Sequence, residues 1–172
     1  MKQITPRMMT EIAAAAALYV VLTVMFHPLS YGAVQIRFSE AMMLLCCFRI
    51  RWCAALSLGC MIANLFSGMS VDFLFGTLAT VIAAVLMYLI RKPVPAAFVP
   101  AAANGFIIAA ELYFFAGEPY WFSVLTVAAG EIVAVVVIGL PLLWALRRSE
   151  AVSRLLFDRG KSDRNDSSER TP

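Results

Sequence analysis

Long apolar runs, separated by short polar or Pro/Gly-rich interruptions, follow one another along the chain as far as residue 148. Their lengths and flanking residues predict six helices, over residues 8–27, 39–48, 52–66, 71–90, 96–115 and 120–147. The first carries the smooth strip Ala13 to Ala17 and stops at His27-Pro28, because a residue before proline avoids the helical region. Its apolar run, Ile12 to Phe26, is long for a signal h-region of about 7–15 residues and reads as a retained span. The second helix is short. Ten residues rise about 15 Å, half of a hydrocarbon core of about 30 Å, so other helices must shield it or its ends must extend. Gly59 and Ala63 form a small pair in the third, Gly76, Thr80 and Ala84 a stripe in the fourth, and Pro141 is expected to kink the sixth. From Ser149 the pattern dissolves. Residues 149–172 are too poor in apolar side chains to fold alone and are expected to be a disordered tail.

Basic residues sort by side. Lys2, Arg7, Arg49, Arg51, Arg91, Lys92, Arg147 and Arg148 occupy the two termini and the even connections, whereas the odd connections carry only Arg37. The positive-inside rule then places both ends of the bundle's chain, and the tail, in the cytoplasm. Composition agrees with a membrane domain over residues 1–148: 62% of the 172 residues are hydrophobic and 15% are charged, against about 45–50% and about 25% in soluble domains. The expected class is an all-α integral membrane protein, a six-transmembrane-helix bundle with no room for a separate catalytic domain.

Composition also narrows the chemistry. Basic and aromatic residues are not interleaved as a nucleic-acid surface requires. His27 is the single histidine, and Cys46, Cys47, Cys53 and Cys60 lack zinc-motif spacing, so the cysteines read as small buried apolar residues. No cofactor or metal is expected. No G-x-x-x-x-G-K-[ST] sequence occurs, so any ATP hydrolysis must come from partners.

The polar residues within or beside the spans are the candidates for function, because a carboxylate in lipid costs about 2.5–3.5 kcal/mol and must face the bundle interior. The stretch Tyr31 to Glu40 is an unusually polar interruption on the outer side, containing Gln35 and Arg37. Ser39 is placed to cap the second helix and Glu40 to sit in its first turn. Asn64, Asp72, Glu111 and Glu118 fall at outer helix ends, Asn104 lies mid-span, and Glu131 lies about ten residues into the sixth helix. Plainer roles compete: Asp72 as a helix cap, Glu118 as a solvated turn, the asparagines as interhelical hydrogen bonds, Glu40 as a partner for Arg37. Glu111 and Glu131 have no basic neighbour in sequence and are hardest to explain structurally. With Tyr31, Tyr113 and Trp121 nearby, the group suits a flat, hydrogen-bonding, cationic solute. The residues expected to bind it are Tyr31, Gln35, Arg37, Glu40, Asn64, Asp72, Asn104, Glu111, Trp121 and Glu131. A small membrane enzyme using Glu111 and Glu131 as acid and base, and an assembly protein without a solute, are the alternatives. For Ala13 and Ala17, close approach of another helix and simple helix propensity explain the alanines equally well.

The stretches Tyr31-Gly-Ala-Val-Gln-Ile-Arg-Phe-Ser-Glu-Ala41, Gly59 to Leu65, Asp72 to Thr80, Asn104 to Tyr113 and Gly130 to Leu142 together resemble the QueT family. That family belongs to the S-components, the substrate-capture subunits of energy-coupling-factor transporters. The resemblance implies the six-helix S-component fold in a prokaryotic plasma membrane, with the first loop acting as a lid. It implies partnership with a transmembrane coupling subunit, docked at Ala13 and Ala17, and with two ATP-hydrolysing subunits. It also implies uptake of a queuosine precursor, a deazaguanine base such as the aminomethyl form, with no catalysis by this chain.

Overall fold

A computed structural model describes residues 5–30, 36–67 and 71–157, and helices account for nearly all of them, with no strand among the described residues. They include α1 (Pro6–Met25), α2 (Phe38–Cys47), α3 (Ile50–Ala63), α4 (Asp72–Ile90), α5 (Val99–Glu111), α6 (Tyr120–Glu131), α7 (Leu140–Arg148) and α8 (Glu150–Leu156), with short helical turns at His27–Ser30, Asn64–Phe66 and Pro93–Ala96. A π-helical stretch, Leu112–Ala116, prolongs α5, and another, Ile132–Gly139, joins α6 to α7 in one rod. Four rods are long and apolar enough to cross a membrane: Pro6–Met25, Asp72–Ile90, Pro93–Ala116 and Tyr120–Arg148. The apolar helices Phe38–Cys47 and Ile50–Phe66 are shorter.

Local chemistry sets the ends. Thr5 caps α1 by accepting from the Met8 amide at 3.4 Å, with Pro6 in the first turn, where its missing N–H costs nothing. Arg91 closes α4 in the left-handed conformation, φ 61°, its amide bonded back to the Met87 carbonyl. Gly117, at φ 73°, ends the Leu112–Ala116 stretch and suits that conformation because it lacks a Cβ.

Two helices depart from expectation in their winding. α2 is a 3₁₀-helix, not an α-helix, although such runs rarely exceed 3–4 residues. At about 2.0 Å per residue it reaches about 20 Å instead of 15 Å. Burial explains why packing overrides backbone preference here: eight of its ten residues are buried, against α1, α3, α4 and the Ile132–Gly139 stretch. Ser39 is no cap; Arg37 holds that position without a side-chain cap bond. The irregularity expected at Pro141 lies upstream, in the π turns that widen the rod before the proline ring.

Contacts fix the direction of each rod. Arg51 Nη1 pairs with Glu11 Oε2 at 2.5 Å, while His27 Nε2 lies 2.9 Å from the Phe66 carbonyl, so α1 and α3 run parallel. Cys53 Sγ donates to the Ala84 carbonyl at 3.4 Å, which sets α4 antiparallel to α3. Phe75 meets Phe115, Tyr113 meets Tyr120, and Arg147 stacks 4.8 Å over Phe48. One end of the bundle therefore gathers Arg7, Arg51, Arg91 and Arg147, and the other gathers Arg37, Asp72 and Glu111. The four cysteines are free, buried thiols, as their apolar reading requires.

Gly59 lets α1 and α3 touch: a Cβ there would lie 2.8 Å from Tyr19 Cβ and 2.9 Å from the Ala16 carbonyl. Ala16 faces this contact, while Ala13 and Ala17 are exposed. The tail is corrected in part. Its first residues form α8, which folds back so that Trp52 Nε1 donates to the Leu156 carbonyl at 3.0 Å and Phe157 meets Phe48 edge-on at 4.8 Å. Leu156 and Phe157 supply the apolar surface that anchors this otherwise polar segment. Residues 158–172 lie outside the described residues.

Candidate functional site

The acidic end of the bundle contains a buried polar group assembled from all the long elements. From α1, Tyr19 donates its hydroxyl hydrogen to Glu40 Oε1, and one turn later Thr23 Oγ1 lies 2.7 Å from Ser39 Oγ. Ser30 Oγ donates to the Thr23 carbonyl at 2.9 Å, and Arg37 Nε donates to the Ser30 carbonyl at 3.4 Å. Arg37 Nη2 reaches Asp72 Oδ2 at 3.5 Å, in a pair that is 5% and 9% exposed. This corrects one expectation: the ion pair across the opening segment joins Arg37 to Asp72, on the first turn of α4, rather than to Glu40.

Asn64, at the end of α3, donates through Nδ2 to the Asp72 carbonyl at 3.1 Å. Gly76, one turn into α4, makes room for both: a Cβ there would lie 2.6 Å from Asn64 Nδ2 and 2.8 Å from Asp72 Oδ1. Gly76→Ala is therefore expected to push these side chains out of register and to destabilise the fold by about 1–3 kcal/mol, the usual range for overpacking. A drop in the thermal unfolding midpoint of the purified protein checks this. Deeper in the bundle, Asn104 Nδ2 on α5 donates to Glu131 Oε1 on α6 at 2.5 Å. Glu131 lies within electrostatic reach of Glu40 and Arg37, and Glu111 within reach of Asp72 and Arg37, so the outer and deeper residues form one field.

The bonds left unmade define what the group can do. Glu40 Oε2, Asn64 Oδ1, Asn104 Oδ1, Glu111 Oε2 and Glu131 Oε2 are buried and have no hydrogen-bond partner within the described residues. A buried acceptor left unpaired costs about 1–3 kcal/mol, and native proteins keep few of them. All five are oxygens. Among the described residues, four carboxyl groups share this region with one guanidinium, an arrangement whose chemistry suits N–H donors and positive charge.

Seven of the ten residues expected to bind solute are in this group: Arg37, Glu40, Asn64, Asp72, Asn104, Glu111 and Glu131, each at most 7% exposed. Tyr31 and Gln35 lie outside the described residues. Trp121 does not join it. It is 72% exposed in a surface ladder with Tyr120 and Tyr113, at ring distances of 5.3 and 6.3 Å. Helix geometry gives the reason: Tyr120 stands about three turns before Glu131 on the same face, and Trp121 is one position further round. Tyr19, Thr23, Ser30 and Ser39 were not among the expected binders. Their signal was present as hydroxyls four residues apart, Tyr19 and Thr23, in an otherwise apolar helix.

Comparison with known proteins accords with this geometry. The family described as QueT transporter matches residues 9–148. The "Queuosine precursor transporter QueT" of Lactococcus lactis subsp. cremoris is 40% identical over 73 residues, 41% of this chain and 43% of that relative. The aligned part thus spans less than half of the relative's length. No solved structure matches. With a family match across the helical bundle and four rods long and apolar enough to cross a membrane, the chain belongs to the QueT transporter family.

Proposed function

We propose that this chain is the substrate-capture subunit of an energy-coupling-factor importer and that its solute is a queuosine precursor. The observation that carries the reading is the set of five buried oxygens, three carboxyl and two amide, that have no hydrogen-bond partner among the described residues. A deazaguanine base offers a row of N–H donors along a flat edge, and its aminomethyl form adds a cationic arm. Hydrogen bonds to charged groups contribute about 1.5–3 kcal/mol each, so two or three well-placed ones supply a large share of a tight complex.

In this reading all six rods cross the plasma membrane, both termini are cytoplasmic and the acidic end faces outward, as the gathering of arginines at the opposite end supports. The exposed face of α1 with Ala13 and Ala17 receives the coupling subunit, and two ATP-hydrolysing partners drive the cycle. The test is direct titration of purified protein with deazaguanine bases, guanine and a set of B vitamins. The aminomethyl deazaguanine is expected to bind most tightly. Tight binding of a vitamin with none to any deazaguanine would overturn the substrate, and binding of nothing would overturn the capture role.

A further inference from the structure

We propose that Tyr19 is a positioning residue of the solute site: its hydroxyl holds Glu40 so that one carboxylate oxygen is committed to the protein and the other is aimed at the solute. The proposal rests on the reading of the buried acidic group as the solute site, but it concerns a residue on a different helix with a different role.

Four observations carry it. Tyr19 is fully buried, and its hydroxyl, which has a single hydrogen to give, donates it to Glu40 Oε1. Glu40 is also fully buried, and its Oε2 has no partner among the described residues. The phenol ring is itself fixed, because α3 approaches at Gly59, where even a Cβ would stand 2.8 Å from Tyr19 Cβ. Finally, the residues leading to Glu40 are tied down: on α1, Thr23 Oγ1 meets Ser39 Oγ, and Ser30, just beyond α1, donates to the Thr23 carbonyl and accepts from Arg37. A carboxylate on a free side chain can rotate and offer either oxygen in many directions. Tied through Oε1, Glu40 offers Oε2 in one direction only, which favours a solute with an N–H at the matching place.

The consequence separates positioning from bulk. Tyr19→Phe keeps the ring and its packing on Gly59 and removes only the hydroxyl. Affinity for the tightest binder of the panel is expected to fall at least about tenfold, as for loss of a hydrogen bond to a charged group. Glu40→Gln is expected to weaken binding by itself, since an amide puts a donor or a reoriented acceptor where Oε2 was. The decisive reading is the double-mutant cycle. If Tyr19 acts through Glu40, then adding Tyr19→Phe to Glu40→Gln costs less than about twofold more. A structural role would lower affinity by the same factor in both backgrounds. Unaltered affinity in Tyr19→Phe, or full additivity across the cycle, overturns the proposal while leaving the transport reading intact. An unmodified protein that binds no panel member overturns the site reading, and this inference with it.

Discussion

Glu131→Gln should reduce solute affinity by about a hundredfold or more while leaving the fold as stable as before, or more so. Glu131 is 3% exposed, accepts from Asn104 Nδ2 at 2.5 Å through Oε1, and keeps Oε2 without a partner among the described residues. Glutamine has the same shape but one acceptor and one donor. If its oxygen takes the Asn104 hydrogen bond, its NH₂ confronts the solute's N–H. If it turns over, two NH₂ groups face each other across α5 and α6. Either way a donor meets a donor, and a charge-assisted bond of about 1.5–3 kcal/mol is replaced by repulsion. For the fold the sign is opposite, because a buried unpaired carboxyl is a liability that a neutral amide relieves. Titration calorimetry and thermal unfolding on one preparation check both signs. Wild-type affinity in Glu131→Gln would remove Glu131 from the site and favour a purely structural role for the Asn104 contact.

Gly59→Leu should be the most damaging single change in the bundle. A Cβ at this position already falls 2.8 Å from Tyr19 Cβ and 2.9 Å from the Ala16 carbonyl, distances that real contacts do not show. The obstruction is backbone and the base of a side chain, neither of which can swing aside, so α1 and α3 must part. Overpacking where neighbours can adjust costs about 1–3 kcal/mol; here the cost should reach or exceed the top of that range. Separation would also draw Tyr19 away from Glu40. The expected result is little or no folded monomer on size-exclusion chromatography. Gly105→Ala serves for comparison, because its Cβ would meet Ala128 Cβ at 3.3 Å, and it should be recovered folded with a lowered melting midpoint. Equal recovery of Gly59→Leu and wild type would show that the α1–α3 contact is dispensable.

Much of this arrangement was written in local pattern. Apolar runs ending in Arg49, Arg91 and Arg147 located the rods to within a few residues, because the end of a span and the need for a charge coincide in sequence. The buried carboxyls were legible for a related reason: Glu40, Glu111 and Glu131 are too costly in an apolar run to be there without use. Pairing was not legible. Nothing near Arg37 announces Asp72, 35 positions away, as its partner, since both candidate acids are equally compatible with the loop. Nor could the winding of α2 be read, because propensity favours an α-helix and only the surrounding rods impose 3₁₀ geometry. Tyr19 was passed over since an aromatic in an apolar helix is ordinarily packing; only the rotation of α1 set by Gly59 turns its hydroxyl to Glu40. Trp121 failed for the converse reason, as one step along α6 exchanges the inner face for the outer.

The burial of α2 has a consequence for the order in which the molecule is made. During synthesis this ten-residue helix emerges with only α1 ahead of it, yet its seat is formed by α3, α4 and the π-helical stretch just after Glu131. Contacts between segments so distant along the chain form late, because the intervening loop must be closed first. Until the last rod is in place, α2 is too short to lodge independently and its acidic first turn has nowhere to go. Its seat is complete only when the Ile132–Gly139 stretch is in place. A chain cut short before Ile132–Gly139 would leave α2 without that part of its seat.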